Sequence, residues 1–233
     1  MGDLGYAAVN VGERDIRFGY DHFAGNIEGS ELEFISANIV DKQSGKPILS
    51  PYVVVEASSP DGKRKMRIGV IGAVRFNPIF LQPGPEGREM VIKHPKDHVE
   101  QALKQLGQED VELVVLLAAM HRDDARRLVN DVPGIDFVVG SYGGVFSTEH
   151  EAEPNTWILY SGNQGKRIGE TRIFLDASRR MADQNTTLHL MTSIYPADPL
   201  MLEFVNAVPL PKVGPQEAGA TAVGAPVATP GGR

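Results

Sequence analysis

A chain of 233 residues, 42% hydrophobic and 23% charged, is long enough to bury one large core or two small ones. Thirty acidic residues against 23 basic leave a net charge of −7, without the Lys/Arg surplus that non-specific phosphate-backbone binding needs, so nucleic acid is not an expected partner. Cysteine is absent, which removes disulfides, thiolate metal sites and cysteine nucleophiles together.

The N-terminal stretch Met1–Asp15, MGDLGYAAVNVGERD, has neither a basic start nor a sustained apolar run. It is not expected to be a signal peptide, and it reads as though the chain begins inside a domain. Short β-rich runs follow at Ala7–Val11, Phe34–Val40, Tyr52–Ala57 and Met66–Val74, with a hairpin turn expected at Pro60-Asp61-Gly62 between the last two. Pro95 opens a helix whose Val99, Ala102, Leu103 and Leu106 fall on one face, with Gly107 as its C-cap. Leu113–Leu117 is a buried strand by composition. The apolar run that contains it, Leu113–Met120, falls far short of the roughly 20 residues a membrane span needs. A helix with Ala125, Leu128 and Val129 on one face precedes the next buried strand, Ile135–Val139. Continuous apolar strands separated by short helices predict a sheet covered on both sides. Trp157–Tyr160, Ile168–Leu175 and Thr187–Ile194 are expected as antiparallel strands, and a last helix runs from Asp198 as N-cap and Pro199 to about Asn206. The class is α/β. The folded domain spans residues 1–207, and the Ala/Gly/Pro-rich remainder, 208–233, is expected to be a disordered tail or linker.

The order of these motifs resembles the metallophosphoesterase domain of 5′-nucleotidases and UDP-sugar hydrolases, in the calcineurin-like superfamily. Gly5–Phe23 is similar to that family's stretch around Gly-Asn-His-Glu, and Glu31–Glu56 to its stretch around Ser-Ala-Asn. Arg64–Val74 matches its glycine-containing strand, Val111–Gly144 its block ending in Gly-His-Ser-His, and Ser161–Asp176 its closing strands. The resemblance implies a two-sheet sandwich flanked by helices (αββα), with the family's first two motifs, Asp-X-His and Gly-Asp, lying upstream of Met1. On that reading the domain is N-terminally incomplete. The resemblance further implies two-metal hydrolysis, in which paired divalent ions hold a bridging hydroxide and clamp a phosphate for in-line attack.

The residues depart from that chemistry at each ligand position that can be placed. The Asn ligand falls on Glu13, the catalytic His on Arg14, and a His ligand on Ala119; Gly-His-Ser-His has become Gly140-Ser141-Tyr142-Gly143. Ala and Gly carry no side-chain ligand atom, and a Ser hydroxyl is a poor one. No catalytic residue and no bound metal are therefore expected. Glu13, Arg14, Asp15, Ser141 and Tyr142 remain as a vestigial cleft. There Arg14 either offers a fixed cation to a nucleotide or phosphate or makes a local ion pair with Glu13 or Asp15.

Other motifs are weighed and set aside. His121, Asp123 and Asp124 suggest a metal cluster, but acidic residues are favoured at a helix start in any case. Ser141–Gly144 is expected to be a turn rather than a phosphate loop, and Gly69 and Gly72 match a dinucleotide fingerprint only in spacing. Trp157 and Tyr160 are expected in the core, and His189 in strand packing or at the surface.

The leading expectation is a non-catalytic or decayed metallophosphoesterase-like domain with a binding or assembly role. Such a domain would self-associate or take a partner that supplies missing strands. The alternative is an active nucleotide phosphoesterase with two divalent ions whose remaining ligands come from upstream sequence; a third is a truncated product without function. The resemblance implies a periplasmic or extracellular setting, for which this chain carries no export signal of its own.

Overall fold

A computed structural model describes residues 5–59, 61–83, 89–142, 146–151, 155–162, 165–176, 178 and 181–208. The chain divides into two units, Met1–Thr192 and Ser193–Arg233.

In the first unit the elements in chain order are β1 (Ala8–Asn10), α1 (Tyr20–Ile27), β2 (Glu33–Ile35), β3 (Ile39–Asp41), β4 (Tyr52–Ser58), β5 (Lys65–Val74), β6 (Asn77–Pro83) and β7 (Glu89–Ile92). They continue with α2 (Pro95–Leu106), β8 (Leu113–Ala119), α3 (Arg122–Asp131), β9 (Phe137–Gly140), β10 (Phe146–Glu151), β11 (Thr156–Ser161), β12 (Arg167–Leu175) and β13 (Met181–Leu190). The second unit is described through Val208 and contains α4 (Pro199–Ala207), where the Asp198 carboxylate accepts the Met201 amide at 3.0 Å as the sequence leads one to expect. All but the first residue of the expected tail, 208–233, lies outside the described residues.

One six-stranded sheet, in the order β10-β11-β9-β8-β5-β4, forms the frame. Its central strands β5, β8, β9 and β11 run parallel, with Val74 opposite Ala119 and Ala118 opposite Gly140. β4 and β10 close the edges antiparallel. Alternation along the strands divides the core in two. Ile71 and Ala73 of β5 and Leu116 and Ala118 of β8 join a cluster with Val99, Ala102 and Leu106 of α2 and Leu128 and Val129 of α3. Val74 and Ala119 point the other way, into a second cluster with Val11, Ile39, Met90, Ile92 and Phe23 of α1. That second face is covered by the small sheets β1-β2 and β3-β7-β6. Mixed strands with helices outside make this the expected α/β architecture, although its second layer is split into short sheets.

Gly69 and Gly72 are packing residues and not part of a nucleotide loop. A methyl built on Gly69 would lie 2.8 Å from a Leu106 carbon, and one on Gly72 would lie 2.6 Å from the Asn10 side-chain oxygen. The first would make the Leu106 side chain shift, and the second, which also meets the Ile35 carbonyl oxygen at 2.8 Å, would push the β1–β2 layer off the sheet.

Several expectations need correction. Phe34–Val40 is not one strand. Its middle turns to other partners, with Ser36 N donating to Ser50 O and Ala37 N to Gly72 O, so β2 and β3 separate. Trp157–Tyr160 pairs antiparallel with β10 but parallel with β9. The strand expected at Thr187–Ile194 starts earlier, at Met181, to complete a long antiparallel ribbon with β12. α1, β6, β7 and β10 were not anticipated. The hairpin joining β4 and β5 is present, closed by Gly62 N to Ser59 O and Ser59 N to Arg64 O, while Pro60 itself lies outside the described residues.

Candidate functional site

Parallel strands deliver their following loops to one rim, where α/β proteins place ligands. Here the loops after β1, β5, β8 and β9 meet, and two asparagines lock that rim. The Asn10 amide donates to Ala73 O at 2.9 Å and Leu117 O at 2.8 Å, tying β1 to β5 and β8. The fully buried Asn38 grips Val74 from both sides, accepting its N–H at 2.9 Å and donating to its carbonyl at 2.8 Å, and donates again to Lys93 O at 2.7 Å. Beyond Val74 the chain continues to Arg75, whose N–H donates to Ala119 O at 3.0 Å. Ser141 N donates to Ala118 O at 2.9 Å.

The structure brings Glu13, Arg14 and Tyr142 together and adds Arg75, which sequence reasoning missed. Arg75 Nη2 donates to Glu13 Oε1 at 2.5 Å, and Asn77 Nδ2 to Glu13 Oε2 at 3.3 Å. The guanidinium carbons of Arg75 and Arg14 lie 5.6 and 5.8 Å from the Tyr142 ring centroid, within cation–π range. Tyr142 itself has φ 67°, a left-handed conformation that costs a non-glycine residue roughly 1–2 kcal/mol, and His121 packs on it with ring centroids 5.7 Å apart. Burial works to raise the Glu13 pKa, but hydrogen bonds from Arg75 and Asn77 and the two guanidinium charges prevail and hold it below the ordinary carboxylate value. Burial and the Glu13 charge raise the Tyr142 phenol against the opposing pull of Arg14 and Arg75.

The local Arg14 ion pair does not form. Strand β5 carries Arg75 up beside Glu13, and the exposed Asp15 accepts Gly12 N–H at 2.8 Å. Asp15 is thus a loop-closing residue. Arg14 is exposed, and no ion pair engages it among the described residues. Ser141 is exposed beside Tyr142, and Gly143 lies outside the described residues. His121, Asp123 and Asp124 do not converge. Asp124 pairs with Arg127 at 2.5 Å and Asp123 with Arg126 at 3.5 Å. No group of three metal-ligating side chains occurs among the described residues. Beside Tyr142 opens a cavity of about 310 Å³ lined by His121, Arg122, Phe146, Ser147 and Tyr160. Tyr160 is buried, its hydroxyl donating to Met120 O at 3.0 Å, and burial pushes its pKa up to about 12. Trp157 is half-buried and stacks on His150, and His189 pairs with Glu170 at 2.8 Å on the β12–β13 ribbon.

With this geometry in hand, comparison with known proteins places the fold. A 5′-nucleotidase precursor from Thermus thermophilus superposes with a TM-score of 0.71 at 20% identity, covering 89% of this chain and 43% of that one. A calcineurin-like phosphoesterase from Bacillus subtilis superposes at 0.67 and 18% identity, covering 84% of this chain and 67% of that one. The fold is the one these 5′-nucleotidase and calcineurin-like phosphoesterase structures share. In sequence, 75 residues are 35% identical to a 2′,3′-cyclic-nucleotide 2′-phosphodiesterase/3′-nucleotidase of Yersinia enterocolitica, covering 31% of this chain and 12% of that protein. The chain spans 12–25% of the length of the curated relatives it matches. No protein-family model matches it.

A metallophosphoesterase fold implies two divalent ions at this rim, and the residues present do not fit them. Both Glu13 oxygens are engaged by Arg75 and Asn77, the Ala119 position offers a methyl group, and Ser141 a neutral hydroxyl. Arg14, which the family resemblance sets against a catalytic histidine, carries a cation and not a ligand atom.

Proposed function

We propose that this is a non-catalytic metallophosphoesterase-like domain that binds an anion at its rim. The observation that supports the reading is the donor chemistry just described. Two-metal hydrolysis needs both ions, so losing several ligands abolishes turnover rather than slowing it. What remains at the rim is a cation. Arg14 is permanently charged, exposed and in no ion pair among the described residues, and it stands ready to bind a phosphate or the phosphate of a nucleotide. An assembly role is carried by β1, which pairs only with β2 among the described residues and leaves its other edge open to a strand from a partner or a second copy.

The test is direct. Purified chain supplied with Mn²⁺, Co²⁺ or Zn²⁺ gives no hydrolysis of nucleotide monophosphates, UDP-sugars or p-nitrophenyl phosphate. Calorimetric titration of phosphate or nucleotide weakens in Arg14→Ala and not in Arg127→Ala, whose guanidinium is paired on α3. Equal losses in both variants mean non-specific electrostatics and defeat the anion site; EDTA-sensitive turnover defeats the non-catalytic reading. The relatives' names favour one second reading, hydrolysis of 2′,3′-cyclic or 3′-nucleotides in a longer protein. The same turnover assay with those substrates decides it. Light scattering on the same sample reads the assembly role.

A further inference from the structure

We infer that Arg75 is a built-in cation, holding the loop after β1 against the sheet in the place where divalent ions act in this fold. The inference rests on the non-catalytic reading and extends it to how the rim is held together. Three observations carry it. First, Arg75 approaches Glu13, which the family resemblance sets against a metal ligand, to 2.5 Å and pairs with it across 62 residues of sequence. Asn77 takes the other carboxylate oxygen, so both oxygens are engaged. Second, Arg75 is fixed at its base. Its own N–H is bound to Ala119 O, and the preceding Val74 is bound through both backbone groups by the buried Asn38. A side chain rising from such a strand end has little freedom to swing away. Third, the negative charge at Glu13 is answered without an added ion: the Arg75 guanidinium pairs with it and lies against the Tyr142 ring. A divalent ion brought to Glu13 would have to displace a guanidinium that does not deprotonate in proteins.

Thermal unfolding of the intact chain tests this, followed with EDTA, with millimolar Mn²⁺ or Zn²⁺, and with neither. The wild-type midpoint stays the same in all three, and metal analysis after dialysis finds no stoichiometric ion. Arg75→Ala lowers the midpoint by roughly 3–6 °C, as losing one such pair does in a domain of this size. Its freed Glu13 carboxylate makes that variant responsive, so Mn²⁺ or ethylguanidinium recovers part of the loss. Arg75→Lys, which keeps the charge and loses the planar fork, falls between the two. A wild-type midpoint that drops with EDTA, or an Arg75→Ala variant that no cation restores, overturns the inference. If Arg75→Ala does not fold, the wild-type EDTA and metal measurements still decide. Stoichiometric metal without turnover sinks the inference while sparing the non-catalytic reading, whereas turnover sinks the reading itself.

Discussion

The two faces of the central sheet are built differently. Beneath α2 and α3 the packing is largely aliphatic, with Ile71, Leu116, Val138 and Ile158 meeting Val99, Leu106, Leu128 and Val129, all of them buried. Position there is set by shape, and hydrophobic burial supplies the stability. On the opposite face the covering layer consists of strands of three to seven residues in two small sheets and the short helix α1. Its placement depends on polar grips, chiefly Asn10 on β5 and β8 and Asn38 on Val74 and Lys93. The face held by directed hydrogen bonds is the one that carries the rim. Side chains aimed at a ligand need fixed backbone more than they need a large core.

Breaking the two faces separately should show this. The largest effect is expected from Leu116→Ala in the middle of β8, a buried deletion worth about 3–4 kcal/mol. It leaves phosphate binding by the folded fraction unchanged. Asn38→Ala removes three buried hydrogen bonds and strands both backbone groups of Val74, at about 2–3 kcal/mol. Because Asn38 also fixes the base of Arg75, its loss and that of Arg75→Ala combine to less than their sum, whereas Leu116→Ala and Arg75→Ala add. Denaturant midpoints of the single and double variants measure this. Full additivity of Asn38→Ala with Arg75→Ala would mean the grip and the cation act independently.

The helix-covered face was legible in the sequence because its signals are periodic and concentrated. The apolar run at Leu113 and the spacing of Val99, Ala102 and Leu106 suffice for β8 and α2. The other face offers little of either kind. α1 begins at Gly19, which has φ 93° and gives no side-chain cap, and buries only Phe23. β10 reads FSTEHE, largely polar, and β13 is Thr-, Asn- and Gln-rich in a ribbon without a fully buried face, so its ends carry no hydrophobic mark. At the rim, Glu13, Arg14, Asp15, Ser141 and Tyr142 were found only through the resemblance to a family pattern. Arg75 escaped because nothing near it in sequence predicts its role. It reaches Glu13 only once the β5–β8 register puts Val74 beside Ala119 and the loop after β1 folds back over the strand ends. Its one usable signal was its place directly after a buried strand end.

The smallest expected effects come from comparing two carboxylates at opposite ends of the sheet. Asp136, just before β9, accepts the Val114 N–H at 2.7 Å. Burial raises its pKa above the ordinary value, and that hydrogen bond offsets the rise only in part. For a carboxyl whose folded pKa exceeds its unfolded one, the ionised form is the less favourable in the fold. The penalty is present at neutral pH and disappears as pH falls through the folded and then the unfolded value. Glu13 has the opposite sign. Its folded pKa is depressed, so its contribution is stabilising above the unfolded carboxylate range and is lost as pH falls through the folded value. Asp136→Asn keeps an acceptor for Val114 and removes the charge, so at pH 7 it should raise the unfolding midpoint by the equivalent of under about 1 kcal/mol. Glu13→Gln should lower the midpoint at the same pH, and both differences should shrink on acidification. Midpoints followed from neutral to acidic pH check the pair. An Asp136→Asn variant less stable than wild type at pH 7 would show that its carboxylate is needed as a charge at that end of the sheet, and the contrast between the two ends would fail.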